Sequence, residues 1–227
     1  FSRKPVHLYV PGGDDKYPSF WIRDAVMECR SGLIPLAEMK TMVRVILSFQ
    51  NGPETRYLAH RLRIAPWAIP DHINLPGIGA EFQKNHPPGA VFYPGTYSPG
   101  EDQGSGLYGV RPPDDNIYEV IHLVYLLVSS ETSQGRQFLL SPVAGIPVWE
   151  RLHSGFQAMS VDSRTGLHWN TPTDWSASNF HDALRHMGAV ALTSCLRFRA
   201  AGQMAELFRC LGVRKEEETY RHLAGCL

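Results

Sequence analysis

The stretch Asp114 to Ser130, DDNIYEVIHLVYLLVSS, constrains the fold more than any other part of the chain. Ile117, Val120, Ile121, Val124 and Val128 recur at three- and four-residue intervals, the spacing of one helix face. Leu123, Leu126 and Leu127 widen that stripe, so this helix must bury more than one side. Such a helix needs others packed around it. Its longest apolar run, VIHLVYLLV, is far below the ~18 residues that cross a bilayer.

Other segments supply the neighbours. A helix is predicted from the WIRD stretch to about Arg30. A second lies within SGLIPLAEMKTMVRVILSFQNG, with Ser31 as its cap, Pro35 in its first turn and Asn51-Gly52 as its stop. Its apolar residues Leu36, Met39, Met42, Val43 and Ile46 form one buried face. Further helices are expected over IPVWERLHSGFQAM, ASNFHDALRHM and AVALTSCLRFRAAGQMAELFRCLG. In the last of these Leu192, Cys195, Leu196, Met204, Ala205, Phe208 and Leu211 point inward and Gly212 ends the helix. RKEEETYRHLAGCL starts one more. Asp115 is placed to cap the helix of the opening stretch. No repeat of fixed period is present.

Between Pro53 and Pro113 the character changes to IPDHINLPGIG, HPPGAVFYPGTYSPG and GVRPPDD. A loop region of this length in a compact domain points to function. Its aromatics, Trp67, Phe82, Phe92, Tyr93, Tyr97 and Tyr108, are unlike a disordered linker. A short strand is predicted at Ala90–Tyr93. SVDSRTGLHWN reads as a loop with a Gly turn.

Composition removes several functional classes. The 227 residues, 43% hydrophobic and 19% charged, can bury a real core in a single domain spanning 1–227. Lys plus Arg and Asp plus Glu are 22 each, so charge gives no general attraction to nucleic acid or to an anionic membrane. The cysteines, Cys29, Cys195, Cys210 and Cys226, include no CxxC pair and are expected to be buried and reduced. No HxxxH, HExxH, EF-hand, phosphate-loop, dinucleotide or GxSxG pattern occurs, so neither metal nor cofactor is expected.

Four stretches, taken in order, resemble one known family. FWIRDAVMECRSGLIP looks like the segment in which Arg-Asp opens an inner helix. PPDDNIYEVIHLVYLLV looks like the next inner-helix start. IPVWERLHSGFQAMSVDSRTGLHW is similar to an outer helix and the turn after it. TDWSASNFHDALRHMGAVALTSCLRFRAAGQMAELFRCLG is similar to an Asp-Trp loop and its following hairpin. Together they resemble the six-hairpin, (α/α)6-barrel glycosidases, especially the glucosidase domain of glycogen debranching enzymes and its glucoamylase-like relatives. The resemblance implies an all-α toroid with long loops on its active-site face. It also implies inverting hydrolysis of glycosidic bonds in an oligo- or polysaccharide. Two departures stand out. Six hairpins need roughly 300 residues or more at ~1.5 Å per helical residue, so this chain has room for only part of such a barrel. Debranching-type members carry a Glu near the position where Ala191 and Leu192 stand here.

The resemblance assigns roles that the residues alone leave open. Arg23 and Asp24 read either as a structural ion pair or as a sugar clamp, with Trp21 stacked on the pyranose. Asp174 reads either as a helix N-cap or as the general acid, kept protonated by the neighbouring Trp175. Of Asp114 and Asp115, one caps the helix and the other faces the pocket, because adjacent carboxylates cannot point the same way; the base is Asp115, Asp114 or Asp71, or lies in the part of the barrel this chain lacks. Asp71 and His72, in IPDHIN, are either solvated or site residues. His168 and Trp169 are either structural or sugar contacts. Tyr93, Tyr97 and Tyr108 are loop anchors or stacking platforms, and Glu150 belongs to a solvated helix face. Two other classes fit the same residues. One is a non-catalytic carbohydrate-binding or structural module. The other is a sugar isomerase or epimerase, in which His168, His181 or His72 would converge. Part of a barrel would expose apolar helix faces and could pair with a second copy.

Overall fold

A computed structural model describes residues 6–11, 19–57, 63–74, 91–92, 111–176 and 186–225. These residues are helix-rich, with seven helices and nine short strands among them. Helix α1 is Ile22–Arg30, α2 Leu36–Ser48, α3 Asn116–Ser130, α4 Thr132–Leu140, α5 Val148–Gln157, α6 Ala191–Leu211 and α7 Arg214–Gly225.

Helix α3 occupies the centre, as its wide apolar surface requires. Ile117, Tyr118, Val120, Ile121, Leu123, Val124, Leu127 and Val128 are all buried. It packs between α1 and α6 and also meets α2, α4 and α5, while α7 lies against α6. The face of α2 is buried through Met39, Met42, Val43 and Ile46. On the far side an aromatic cluster joins three helices. Phe208 stacks on Tyr220 with centroids 5.5 Å apart, and Phe156 meets Tyr220 edge-on at 5.0 Å. Arg197 lies over the Phe156 ring at 4.2 Å.

Three expectations need correction. Ser31 does not cap α2: it ends α1, and its hydroxyl accepts from the Leu33 N–H. Pro35, with an extended backbone, precedes α2 directly. Asp115 sits at the N-cap position of α3 but makes no side-chain capping bond, because its carboxylate is drawn to Arg23. In α6 the buried face begins late. Met204, Ala205, Phe208 and Leu211 are buried, whereas Leu192 is 50% exposed and Cys195 is exposed too. On the side of Leu192 and Cys195 the first half of α6 borders open cavities, while Arg197 and Arg199 reach Tyr118 and Glu119 of α3. Helix α4 was not expected, because TSQGRQFLL is mostly polar and broken by Gly135. That glycine is required by close packing, since a Cβ there would lie 2.7 Å from Val128 Cγ1.

The strands are short. β1 (Ser19–Trp21) pairs antiparallel with β4 (His72–Asn74), which pairs with β5 (Val91–Phe92) inside the predicted Ala90–Tyr93 strand. The register sets Trp21 opposite His72. β2 (Arg56–Tyr57) and β3 (Arg63–Ile64) form one hairpin. β6 (Pro142–Val143) and β7 (Ile146–Pro147) form a second, turned by Ala144 and Gly145, both at positive φ. β8 (Trp169–Asn170) pairs with β9 (Gly188–Ala189). Gly212 closes α6 at φ 78°, as the sequence predicts. The helix expected over ASNFHDALRHM falls almost wholly outside the described residues, as do Phe82, Tyr93, Tyr97, Tyr108, His181 and Cys226. Among the described residues no helix is long and apolar enough to cross a membrane.

Candidate functional site

The N-terminal ends of α1, α3 and α6 converge, and charged side chains are buried there. Arg23, in the first turn of α1, is 6% exposed. Its guanidinium contacts Asp71 Oδ1 at 3.4 Å and Asp115 Oδ2 at 3.5 Å. Asp71 Oδ2 in turn holds His72 Nδ1 at 2.8 Å. Trp21 stacks on the His72 ring, with centroids 4.1 Å apart. The sheet explains this meeting of distant residues: β1 leads straight into α1, β4 begins at His72, and the Ile22 N–H donates to the Asp71 carbonyl. Trp21, Arg23, Asp71, His72 and Asp115 thus form one buried network.

A second network hangs from the neighbouring carboxylate. Asp114 Oδ1 accepts from Arg111 at 2.9 Å; its Oδ2 accepts from the Ser176 hydroxyl at 2.5 Å and lies 2.6 Å from His168 Nε2. Burial alone would raise the Asp114 pKa. The charges of Arg111 and His168, with the hydrogen bonds from His168 and Ser176, outweigh burial and lower it to about 2. Arg111 also donates to Asn170 Oδ1 at 2.8 Å, and its Nε lies 2.6 Å from Asp174 Oδ1. The other oxygen of Asp174 is held by Arg63. Asp114 and Asp115 thus belong to separate networks, Asp114 with Arg111, His168 and Ser176 and Asp115 with Arg23.

Asp174 is set differently from the arrangement the sequence suggests. Trp175 is buried beside it, but both carboxylate oxygens face guanidinium groups, which only donate. Its backbone pairs with Thr171 in a short bridge. His168 is buried and its Nδ1 makes no hydrogen bond among the described residues. Trp169, at 39% exposure, projects from the surface. Asp24 is half-buried. His72 pairs with Asp71 and His168 with Asp114. Sequence reasoning missed Arg111, the hub of the second network, along with Arg63, Asn170 and Ser176. The only signal for Arg111 was its place before PPDD, and that spacing carries no distinctive chemistry.

A cavity of about 160 Å³ opens onto the first network. It is lined by Arg23, Met27 and Arg30 of α1, Asp115 and Glu119 at the start of α3, and Leu192 and Leu196 of α6. Glu119 is paired with Arg199 at 3.0 Å. One wall therefore offers donors and acceptors in near balance, and the other is aliphatic. A larger cavity of about 430 Å³, lined by Leu167, Ala189, Ala191, Ser194, Cys195 and Phe198, carries no ionised side chain. The smaller one has the chemistry of a polar-ligand site. Among the described residues no cluster of three or more His, Cys, Asp or Glu could hold a metal ion. No protein-family model matches the chain, and no curated protein matches it.

Proposed function

We propose that the chain binds a saccharide in the Arg23–Asp115 cavity and acts as a glycoside hydrolase-like protein of the six-hairpin kind. In this reading α6 with α7, and α3 with α4, are hairpins of an (α/α) toroid. The observation that carries the proposal is the cavity itself. Arg23 and Arg30 donate, Asp115 and Glu119 accept, and Met27, Leu192 and Leu196 form an apolar wall. A sugar ring presents the same three things: hydroxyl donors, hydroxyl acceptors and an apolar C–H face. Near-neutral charge suits an uncharged sugar better than an anion.

For hydrolysis, Asp115 is the proposed base, taking a proton from the attacking water, and Asp174 the proposed acid, protonating the leaving oxygen, in the inverting scheme. Asp174 can do so only if the leaving oxygen displaces Arg63, the more exposed of its two arginines. This requirement favours a second reading, in which the chain binds carbohydrate without cleaving it. Ala191 and Leu192, standing where debranching-type members carry a Glu, favour it as well.

A panel of maltoheptaose, cellohexaose, xylohexaose and an oligogalacturonide separates these readings. Binding is followed by titration calorimetry and cleavage by the anomeric signals in proton NMR. The proposal expects one panel member to bind and Asp115→Asn to weaken that binding at least tenfold. Cleavage that gives the inverted anomer and is lost in Asp174→Asn supports the hydrolase; binding without cleavage supports the second reading. If no panel member binds, or if Asp115→Asn binds as wild type does, the proposal fails.

A further inference from the structure

Asp115, at the N-cap position of α3, and Glu119, in its first turn, both line the Arg23–Asp115 cavity. The Glu119 N–H donates to the Asp115 carbonyl at 3.1 Å, so the two residues stand one helical turn apart. Side chains at that spacing share a helix face, with Cβ atoms about 5–6 Å apart. Each carboxylate is held by an arginine from a different helix. Arg23 of α1 lies 3.5 Å from Asp115 Oδ2, and Arg199 of α6 donates to Glu119 Oε2 at 3.0 Å. A carboxylate has two oxygens and about four lone-pair sites. One guanidinium contact therefore fixes its orientation without using up its capacity to accept.

The setting of Glu119 comes from the packing of α3 on α6. Arg199 follows Leu196, an apolar lining residue of the cavity, by three positions, so one face of α6 supplies both. One turn further along, Gln203 Nε2 donates to His122 Nδ1 at 2.6 Å. Glu119–Arg199 and His122–Gln203 are thus consecutive rungs that set the register of the two helices. A partly exposed ion pair adds little to stability; its main effect here is to fix where the Glu119 carboxylate points. The Glu119 side chain is 13% exposed, and a ligand filling the cavity removes most of that access to water. The lone pairs that Arg199 does not take must then be met by the ligand, because a buried charged acceptor left unmatched is costly. A site of this kind rejects a ligand lacking the matching hydroxyl far more strongly than an apolar wall rejects a misfit. Paired with arginines, Asp115 and Glu119 only accept, so together they call for two donors one helical turn apart. Two hydroxyls of a single sugar ring meet that requirement.

We propose that Glu119 is a specificity-determining residue of the Arg23–Asp115 cavity and that Arg199 is its positioning residue. Glu119 accepts from one hydroxyl of the ring, and Asp115 accepts from another. A sugar that lacks the hydroxyl facing Glu119 is discriminated against. This inference rests on the saccharide reading of that cavity.

A cycle between side chain and hydroxyl tests it. Titration calorimetry compares the best-binding glycan of the panel above with its monodeoxy derivatives, for wild type, Glu119→Ala, Arg199→Ala, Arg199→Lys and Asp115→Asn. We expect one deoxy position to cost wild type at least about tenfold, the size expected for a hydrogen bond to a charged group, and to cost Glu119→Ala less than about threefold. Arg199→Ala should lose part of that discrimination, and Arg199→Lys should keep more of it. A merely structural role would weaken parent and deoxy ligands alike and leave their ratio unchanged. If Glu119→Ala does not fold, Glu119→Gln keeps the shape and should cut the ratio by at least about threefold. An unchanged ratio in the folded Glu119 variant while Asp115→Asn loses binding would overturn the inference alone. The full wild-type ratio in Arg199→Ala would overturn the role given to Arg199. No binding by wild type to any panel member would overturn both the inference and the reading beneath it.

Discussion

Replacing Asp114 by Asn tests the buried network from which the second half of the site is built. Asp114 is 2% exposed and is held by Arg111, His168 and Ser176. Removing one member of a buried charged set leaves Arg111 and His168 short of their shared acceptor charge, which typically costs ~3–5 kcal/mol. Against a total stability of about 5–15 kcal/mol for a domain, that is a large fraction. The pH dependence gives an independent magnitude. The carboxyl pKa falls from the ordinary 3.8 to about 2 on folding. At about 1.36 kcal/mol per unit, this is roughly 2 kcal/mol of stability. Because the folded pKa is the lower one, the contribution is fully present above the unfolded value near 4. It is lost as pH falls through the folded value near 2. The assay is urea unfolding, followed by far-ultraviolet circular dichroism at several pH values from 7 to 2.5, for wild type and Asp114→Asn. The stability gap between them should be several kcal/mol at pH 7 and should narrow by 1–2 kcal/mol toward pH 2.5, an order-of-magnitude figure from the same shift. A variant with the wild-type midpoint at pH 7, or a gap that does not change with pH, would refute this account of the network.

Two further predictions concern other buried groups. His122 lies between α3 and α6 against Gln203 Nε2 at 2.6 Å, and burial, with Arg199 and Arg30 nearby, lowers its pKa to about 4. The unfolded chain takes up a proton near 6.5 that the folded protein refuses, so stability should fall as pH drops from about 6.5 to 4; His122→Gln should flatten that interval in urea midpoints, and an unchanged slope would refute the assignment. Cys29 is buried, with its thiol pushed up to about 12 by burial and by Glu28, whereas Cys195 is exposed. Maleimide labelling read by peptide mapping should modify Cys195 in the folded protein and spare Cys29 until urea unfolds it; equal labelling of the two in the native state would contradict their placement.

The helices were largely legible because their apolar spacing is local. Ile117 through Val128 and Met39 through Ile46 announce their buried faces by period alone. Helix α4 was hidden because its buried apolar residues, Phe138 and Leu139, stand side by side at its end with no helical spacing, and its Gly135, needed for close approach to Val128, reads as a breaker. The exposure of Leu192 and Cys195 was not legible either, since periodicity identifies an apolar face but not whether anything covers it. The site shows the same division. Trp21, Arg23, Asp71, His72 and Asp115 were each flagged, yet their assembly depends on β1 pairing with β4 across about fifty residues of sequence separation. Asp115 looked like a helix cap, and tertiary context overrode that local role when Arg23 claimed its carboxylate. Arg111 left no local trace at all, because an arginine before two prolines acquires its meaning only from Asp114, Asn170 and Asp174 arriving from elsewhere in the chain.

The central claim is that a sugar sits among Arg23, Asp115, Met27 and Leu192. Methyl NMR on protein carrying carbon-13 methyl groups in Met and Leu tests it most directly, by titration with the best-binding member of the glycan panel. The account predicts saturable shifts at Met27, Leu192 and Leu196, absent in Asp115→Asn, with the buried methyls of Met42 and Leu152 unmoved. Shifts confined to methyls away from this cavity, or none with any glycan, would contradict it.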